Sequence, residues 1–334
     1  MRDRGMGVLL VVLVLGACTD GGLISSPSPT QPRPSAVQPA IGDLVDVHGE
    51  PIDVSSLRGR IVFSGGTEDI YTINADGSGL KRLTSSKDLE FDPTWSPDGK
   101  HIAYRHQTGD DSTTDIFVMD ADGSHPRNLT GRDGLGDWGP DWSSDGEIAW
   151  NTASAGSVFD LGVIHPDGTD RRVIEPGVYI EYPAWSPDGR RIAFMSQVDG
   201  EGSPYDIFVM NADGTHVRRL TTSPGSDGWP AWSPDGRHIV FSSVRDDCAY
   251  SEAEDCLTTG DIGPWQTPYV MNADGTDQHR LTRTFGQFAV WSPDGRYILF
   301  APWLNVIRPD GSGLTRIPVE GTSAEPEMPD WIGA

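Results

Sequence analysis

The chain is 334 residues long and carries 49 Asp and Glu against 25 Lys and Arg, a formal charge of −24 with histidines neutral. A surface of that sign repels phosphate backbones and argues against nucleic acid as a partner. The 40 Gly and 26 Pro would suit disorder, but 11 Trp mark a chain that buries aromatic surface, so the composition fits a turn-rich, all-β globular protein.

Residues 1–17 read as an export signal. Arg2 and Arg4 precede an apolar run over 8–15 that is too short to span a bilayer, and small residues follow at Gly16 and Ala17. The junction Leu15-Gly16-Ala17-Cys18 resembles a bacterial lipobox, which implies cleavage before Cys18 and a lipid on its sulfur; the alternative is an ordinary signal peptide with an incidental cysteine. Residues 18–40 are rich in Ser, Pro and Thr and form a lipid-anchored linker, because such a stretch cannot bury enough apolar surface to offset its ordering entropy. Residues 41–58 are a short lead-in. The expected location is the extracytoplasmic face of a bacterial cell membrane, held by the lipid alone.

Residues 59–334 are periodic. Trp-Ser-Pro-Asp-Gly occurs at Trp95, Trp185, Trp232 and Trp291, with Trp-Ser-Ser-Asp-Gly at Trp142 and a truncated copy at Trp331. The intervals are about 40–47 residues, which suits a unit of four short strands, apart from one of about 59 between Trp232 and Trp291. A second signature is an alternating strand opened by Asp and closed by Asp-Gly, as in Asp69-Ile70-Tyr71 to Asp76-Gly77, Asp115-Ile116-Phe117 to Asp122-Gly123, and Asp206-Ile207-Phe208 to Asp213-Gly214. Weaker copies end at Asp167, Asp274 and Asp310. Period-2 alternation ending in Asp-Gly predicts strands joined by hairpin turns. The first copy has no tryptophan strand ahead of it and the last supplies only that strand, so the two ends complete one blade. The expected fold is all-β, a six-bladed β-propeller of four-stranded blades.

This combination of Trp-Ser-Pro-Asp-Gly and strands ending in Met-Asn-Ala-Asp-Gly resembles the TolB-type, WD-repeat-like (PD40-type) β-propeller family of the bacterial envelope. The family's namesake has a separate α/β domain ahead of its propeller, where this chain has spacer and lead-in. The resemblance therefore implies the fold and not the Tol-Pal role.

The first strand of a propeller blade lines the channel, so the residues ahead of each tryptophan are expected around one mouth. They are Glu90-Phe91-Asp92, Asp137-Trp138-Gly139, Ile180-Glu181-Tyr182, Asp227-Gly228-Trp229, Gly286-Gln287-Phe288 and Glu325-Pro326-Glu327. Carboxylates interleaved with aromatic faces suit a cation or an extended basic segment; the competing reading is ordinary acidic loops with aromatics packing the rim. The long interval places an insertion over 246–268, between the second and third strands of its blade and hence at the same mouth. It holds Cys248 and Cys256, expected as a disulfide in an exported protein, with a metal site as the alternative. It also carries Trp265, expected to overhang the mouth.

The Asp-Gly pairs are read as turn chemistry rather than calcium ligands, since no D-x-[DN]-x-[DN]-G loop is present. No nucleophile elbow, H-E-x-x-H or Walker loop occurs. The expectation is a monomeric, non-catalytic module that binds an envelope protein or basic peptide at the acidic, aromatic mouth. No cofactor is expected, calcium in the channel being the candidate exception. The alternatives are a small-ligand or cation sensor, and a propeller lyase or hydrolase with its site in the channel.

Overall fold

The period-2 segments fold as six antiparallel sheets of four strands each, without an α-helix among the described residues. The computed structural model describes residues 47–65, 68–108, 113–131, 136–153, 159–197, 203–245, 266–321 and 325–333, all within the unit Pro39–Ala334. Cys18, Cys248, Cys256 and Trp265 lie outside these residues, as do the expected signal and linker and most of the insertion.

Blade 1 joins the two ends of the propeller: Pro326–Ile332 is its inner strand, followed outward by Arg60–Gly65, Asp69–Asn74 and Lys81–Arg82. The remaining inner strands are Leu89–Trp95 (blade 2), Asp137–Trp142 (blade 3), Glu181–Trp185 (blade 4), Asp227–Trp232 (blade 5) and Gln287–Trp291 (blade 6). Closure is therefore a ladder between distant segments, Arg60 opposite Ile332 and Gly65 opposite Pro326, and it pairs two edges that would otherwise stand open. This is the shared blade that the sequence predicts.

Each tryptophan packs on the blade before its own. Trp185 lies among Ala149, Leu161 and Val163 of blade 3, and Trp232 among Ala193, Met195 and Ile207 of blade 4. Trp331 closes the ring against Leu299, Leu304 and Val306 of blade 6. The Trp142 and Trp232 indoles also donate to the preceding blade, to Thr94 O (3.2 Å) and Ala184 O (3.1 Å). The core is thus six wedges between sheets rather than one central mass. Arg60 and Arg191 cover Trp95 and Trp232 at 4.4 and 4.5 Å, adding a cation–π contact to the wedge.

Turn carboxylates are occupied by their own loops. Asp76, Asp122, Asp167, Asp213, Asp274 and Asp310 each accept the backbone N–H two residues on. In the Ser-Pro-Asp-Gly turns Ser96 Oγ donates to Asp98 Oδ1 at 2.7 Å, which also accepts Lys100 N–H. These bonds hold the Asp98 carboxyl down at about 2. The Asp that opens a third strand is buried and tied to the fourth, as Asp69 to Arg82 (2.6 Å) and Asp206 to Arg219 (2.5 Å). The lead-in has its own anchor: Ile52 N–H donates to Gly313 O and Thr315 Oγ1, and Ile52 and Leu57 are buried in the wedge between blades 6 and 1.

Candidate functional site

Counted back from its tryptophan, every inner strand has the same plan. A register break separates the fourth residue before Trp from the first, leaving two residues outside the ladder. The second of them is proline in five blades, at Pro93, Pro140, Pro183, Pro230 and Pro329, and Ala289 in blade 6. Proline has no N–H for a ladder, so a bulge is where an inner strand can hold it. The residue before it is left-handed in every blade: Asp92 (φ 50°), Gly139 (63°), Tyr182 (47°), Trp229 (50°), Phe288 (54°) and Met328 (47°).

This plan corrects the picture of a single acidic ring. Apart from Glu325, exposed and one residue ahead of its strand, the carboxylates read from the sequence lie within the inner strands or at their first residues, and they fall in three registers. Glu90, Asp137 and Asp227 stand five residues before Trp and are buried. Glu90 accepts from Ser86 Oγ (2.7 Å) and Thr84 Oγ1 (3.2 Å). Asp137 accepts the Trp150 indole at 2.9 Å. Asp227 takes Arg245 Nη2 at 2.7 Å and Ser223 Oγ at 2.9 Å. Glu181 and Glu327 stand four before Trp. Glu181 accepts from the Tyr179 and Tyr205 hydroxyls, and burial raises its carboxyl against their pull. Glu327 is exposed. Asp92 stands three before Trp, with Arg105 Nε 3.2 Å away, and burial raises its carboxyl despite that cation.

The aromatics divide in the same way. Phe91 and Trp138 belong to the fourth register with Glu181, Gln287 and Glu327, at the rim. Phe91 stacks under Arg105 at 4.4 Å, while the buried Asn151 amide serves both the carbonyl and the indole of Trp138. Tyr182, Trp229 and Phe288 lie one residue deeper and line the channel, a cavity of about 330 Å³ bounded by all six blades. The end of each second strand pairs with the start of its inner strand, as Ser243 with Asp227, so the insertion leaves from this same rim. Arg245, beside its root, is clasped by Asp227 and by the rings of Phe241 (5.2 Å) and Tyr269 (4.9 Å).

Two channel residues escape a reading of the segments upstream of the bulge. Asp141 and Asp330 sit between Pro and Trp in blades 3 and 1, where the other blades have Thr94, Ala184, Ala231 and Val290. Each carboxylate crosses to the next blade: Asp141 Oδ2 accepts Trp185 N–H at 2.7 Å and Asp330 Oδ2 accepts Trp95 N–H at 2.7 Å. Thr94 Oγ1 adds a bond to Asp330 at 3.1 Å. Burial raises both carboxyls, that of Asp141 to about 8, with the charge of Asp330 adding to the effect. The signal was the odd Asp in a Pro-x-Trp triplet otherwise filled by small or apolar residues and a threonine. Among the described residues no three His, Cys, Asp or Glu side chains are grouped to hold a metal ion.

A family model described as the TolB beta propeller domain matches residues 60–203 and 176–249. The chain belongs to the TolB beta-propeller family. It is 32% identical over 146 residues to a TolB homologue of Chlorobium luteolum, covering 42% of this chain and 32% of that one. It is 31% identical over 103 residues to the Tol-Pal system protein TolB of Gluconobacter oxydans, covering 29% of this chain and 23% of that one. The chain thus spans a third or less of the length of these two relatives. The crystal structure of TolB from Acinetobacter baumannii superposes with a TM-score of 0.63 at 22% identity, over 84% of this chain and 68% of that one, and shares the fold.

Proposed function

We propose that this TolB-type propeller is an exported, lipid-anchored and non-catalytic docking module. Cys18 carries the lipid, residues 18–40 act as the tether, and the channel mouth receives a basic segment of an envelope protein. The observation that carries this reading is the rim itself. Phe91, Trp138, Glu181 and Gln287 are half-buried and Glu327 is exposed, so one face offers two aromatic planes and two carboxylates. The other carboxylates of the inner strands, Glu90, Asp137 and Asp227 ahead of this register and Asp92, Asp141 and Asp330 beyond it, are buried in the fold or face the channel. Aromatic surface edged by negative charge favours an extended chain carrying Lys or Arg. The insertion, with its expected Cys248–Cys256 bond and Trp265, belongs to the same proposed surface, because the residues that flank it, Ser243 and Thr267, pair at the end of the blade where the inner strand begins. The Gluconobacter relative is by name a component of the Tol-Pal system, and a protein-interaction role for this chain agrees with that.

The test is affinity capture from the organism's own envelope with the full chain and a Glu181→Gln/Glu327→Gln variant. Retention that salt releases, and that the variant weakens about tenfold without a change in melting temperature, is the expected result. Equal retention by both baits contradicts an electrostatic mouth.

A further inference from the structure

Below the rim the channel wall changes character halfway round. Blades 1 to 3 present Asp330, Asp92 and Asp141, and blades 4 to 6 present Tyr182, Trp229 and Phe288. The three rings touch in series. Tyr182 and Trp229 lie 6.0 Å apart at 67°, and Trp229 and Phe288 lie 4.6 Å apart at 63°. They form an edge-to-face wall rather than a stacked plug. All three occupy the left-handed bulge position, which bulky side chains avoid and which Gly139 fills in blade 3.

The opposite wall is rich in unspent acceptors. A carboxylate offers about four acceptor sites. Asp141 and Asp330 direct theirs laterally to the Trp185 and Trp95 N–H groups and to their own strands. Asp92 is buried, and neither of its oxygens has a well-formed hydrogen bond; the Gly139 N–H and Arg105 Nε stand near it, the latter at 3.2 Å. Arg105 stands beside one of these three acids, so the cavity gains net negative charge as Asp141 and Asp330 ionise.

We propose that the channel is a binding site for an alkylammonium cation, with the charged nitrogen between Asp141 and Asp330 and its carbon substituents against Tyr182, Trp229 and Phe288. Aromatic faces attract a cation whose hydration is weak and whose surface is partly hydrocarbon. A hard divalent ion instead requires six to eight oxygens around one point, and half of this wall is carbon. A cavity of about 330 Å³ holds a cation of a few carbon atoms. The inference concerns the residues one to three before each Trp and stands apart from the rim reading. A lysine side chain of a docked segment and a free quaternary ammonium share this chemistry. Because burial holds a proton on Asp141 up to about pH 8, a bound cation displaces it, and affinity rises with pH toward that value. The other titratable groups facing this space are Asp330, Asp92, Arg105 and Tyr182.

The experiment is calorimetric titration of the full chain with n-butylammonium, choline and the neutral 3,3-dimethylbutan-1-ol, at pH 6 and pH 8. Saturable binding of an ammonium probe is expected, about tenfold tighter than the alcohol and tighter at pH 8, with proton release. It should weaken about tenfold in Asp141→Asn/Asp330→Asn and vanish in Trp229→Leu, while Trp229→Phe, the conservative control for folding, retains it. Preference for butylammonium marks a lysine source and preference for choline a free quaternary ammonium; either supports the site. Failure of both ammonium probes to saturate, equal binding of the alcohol, or calcium binding indifferent to Trp229→Leu overturns it. Envelope capture that still depends on Glu181 and Glu327 would then leave the rim reading standing.

Discussion

Asp141 is the residue whose surroundings have the plainest consequence. Its folded pKa, raised to about 8, exceeds its unfolded value of about 3.9, so its contribution favours folding at low pH and is lost as pH rises through 8. Asp206, raised to about 6 against the pull of Arg219, acts in the same direction over a lower range. Asn at 141 keeps an oxygen for the Trp185 N–H and removes the charge. Melting of Asp141→Asn should therefore lose the pH dependence that the wild type shows between about 6 and 8, and exceed the wild type at pH 8.5 by about 3 °C or more. Asp227 acts through an ion pair, because the largely enclosed Arg245 leans on it at 2.7 Å. Asp227→Asn leaves that cation buried without its counter-charge, and urea unfolding should show a loss of about 3 kcal/mol. Neither role was legible in the residues alone. Asp92, Asp137 and Asp227 look alike in sequence, and only the bulge and the neighbouring sheet decide which meets Arg105, the Trp150 indole or Arg245.

At the level of the strand, legibility followed periodicity. Alternation, Asp-Gly closures and the recurring tryptophan specify strands, turns and inter-blade wedges because each depends on neighbours close in sequence or on a fixed repeat. The inner-strand bulge depends on a proline interrupting a ladder, and it changes which side chains share a register. Hence a block such as Glu90-Phe91-Asp92, read as one patch, becomes a buried acid, a rim aromatic and a channel acid. Gly139 tests the bulge directly. It holds φ 63°, and a Cβ there would stand 2.9 Å from the Asn151 side-chain amide and 3.1 Å from Tyr182 Cδ1. Gly139→Ala should cost about 1–2 kcal/mol in chemical denaturation and disturb Tyr182 before it disturbs the rim.

The propeller is a ring of wedges closed by the strand Pro326–Ile332, so its stability is shared among six similar interfaces. Trp331 in the closing blade and Trp232 in mid-ring fill equivalent wedges. Truncating either to Ala should cost about 3–5 kcal/mol in equilibrium unfolding; a much smaller loss for Trp331 would mean that closure adds little. Ring closure was legible because the chain ends hold complementary fragments of one repeat. What the ring binds was less so, since the fold is shared by many functions and the decisive groups are assembled from different blades. A closed ring also has two distinct ends: the rim, where the inner strands begin, and the Ser-Pro-Asp-Gly end, where they turn. In the proposed role, partners meet the rim. The most direct measurement places a photo-cross-linking amino acid at Gln287 on the rim or at Pro187 on the opposite end of the full-length protein in its own cells. Docking at the rim gives a discrete adduct from position 287 that weakens with salt, and none from position 187. Adducts from 187 alone, or equally from both, would contradict it.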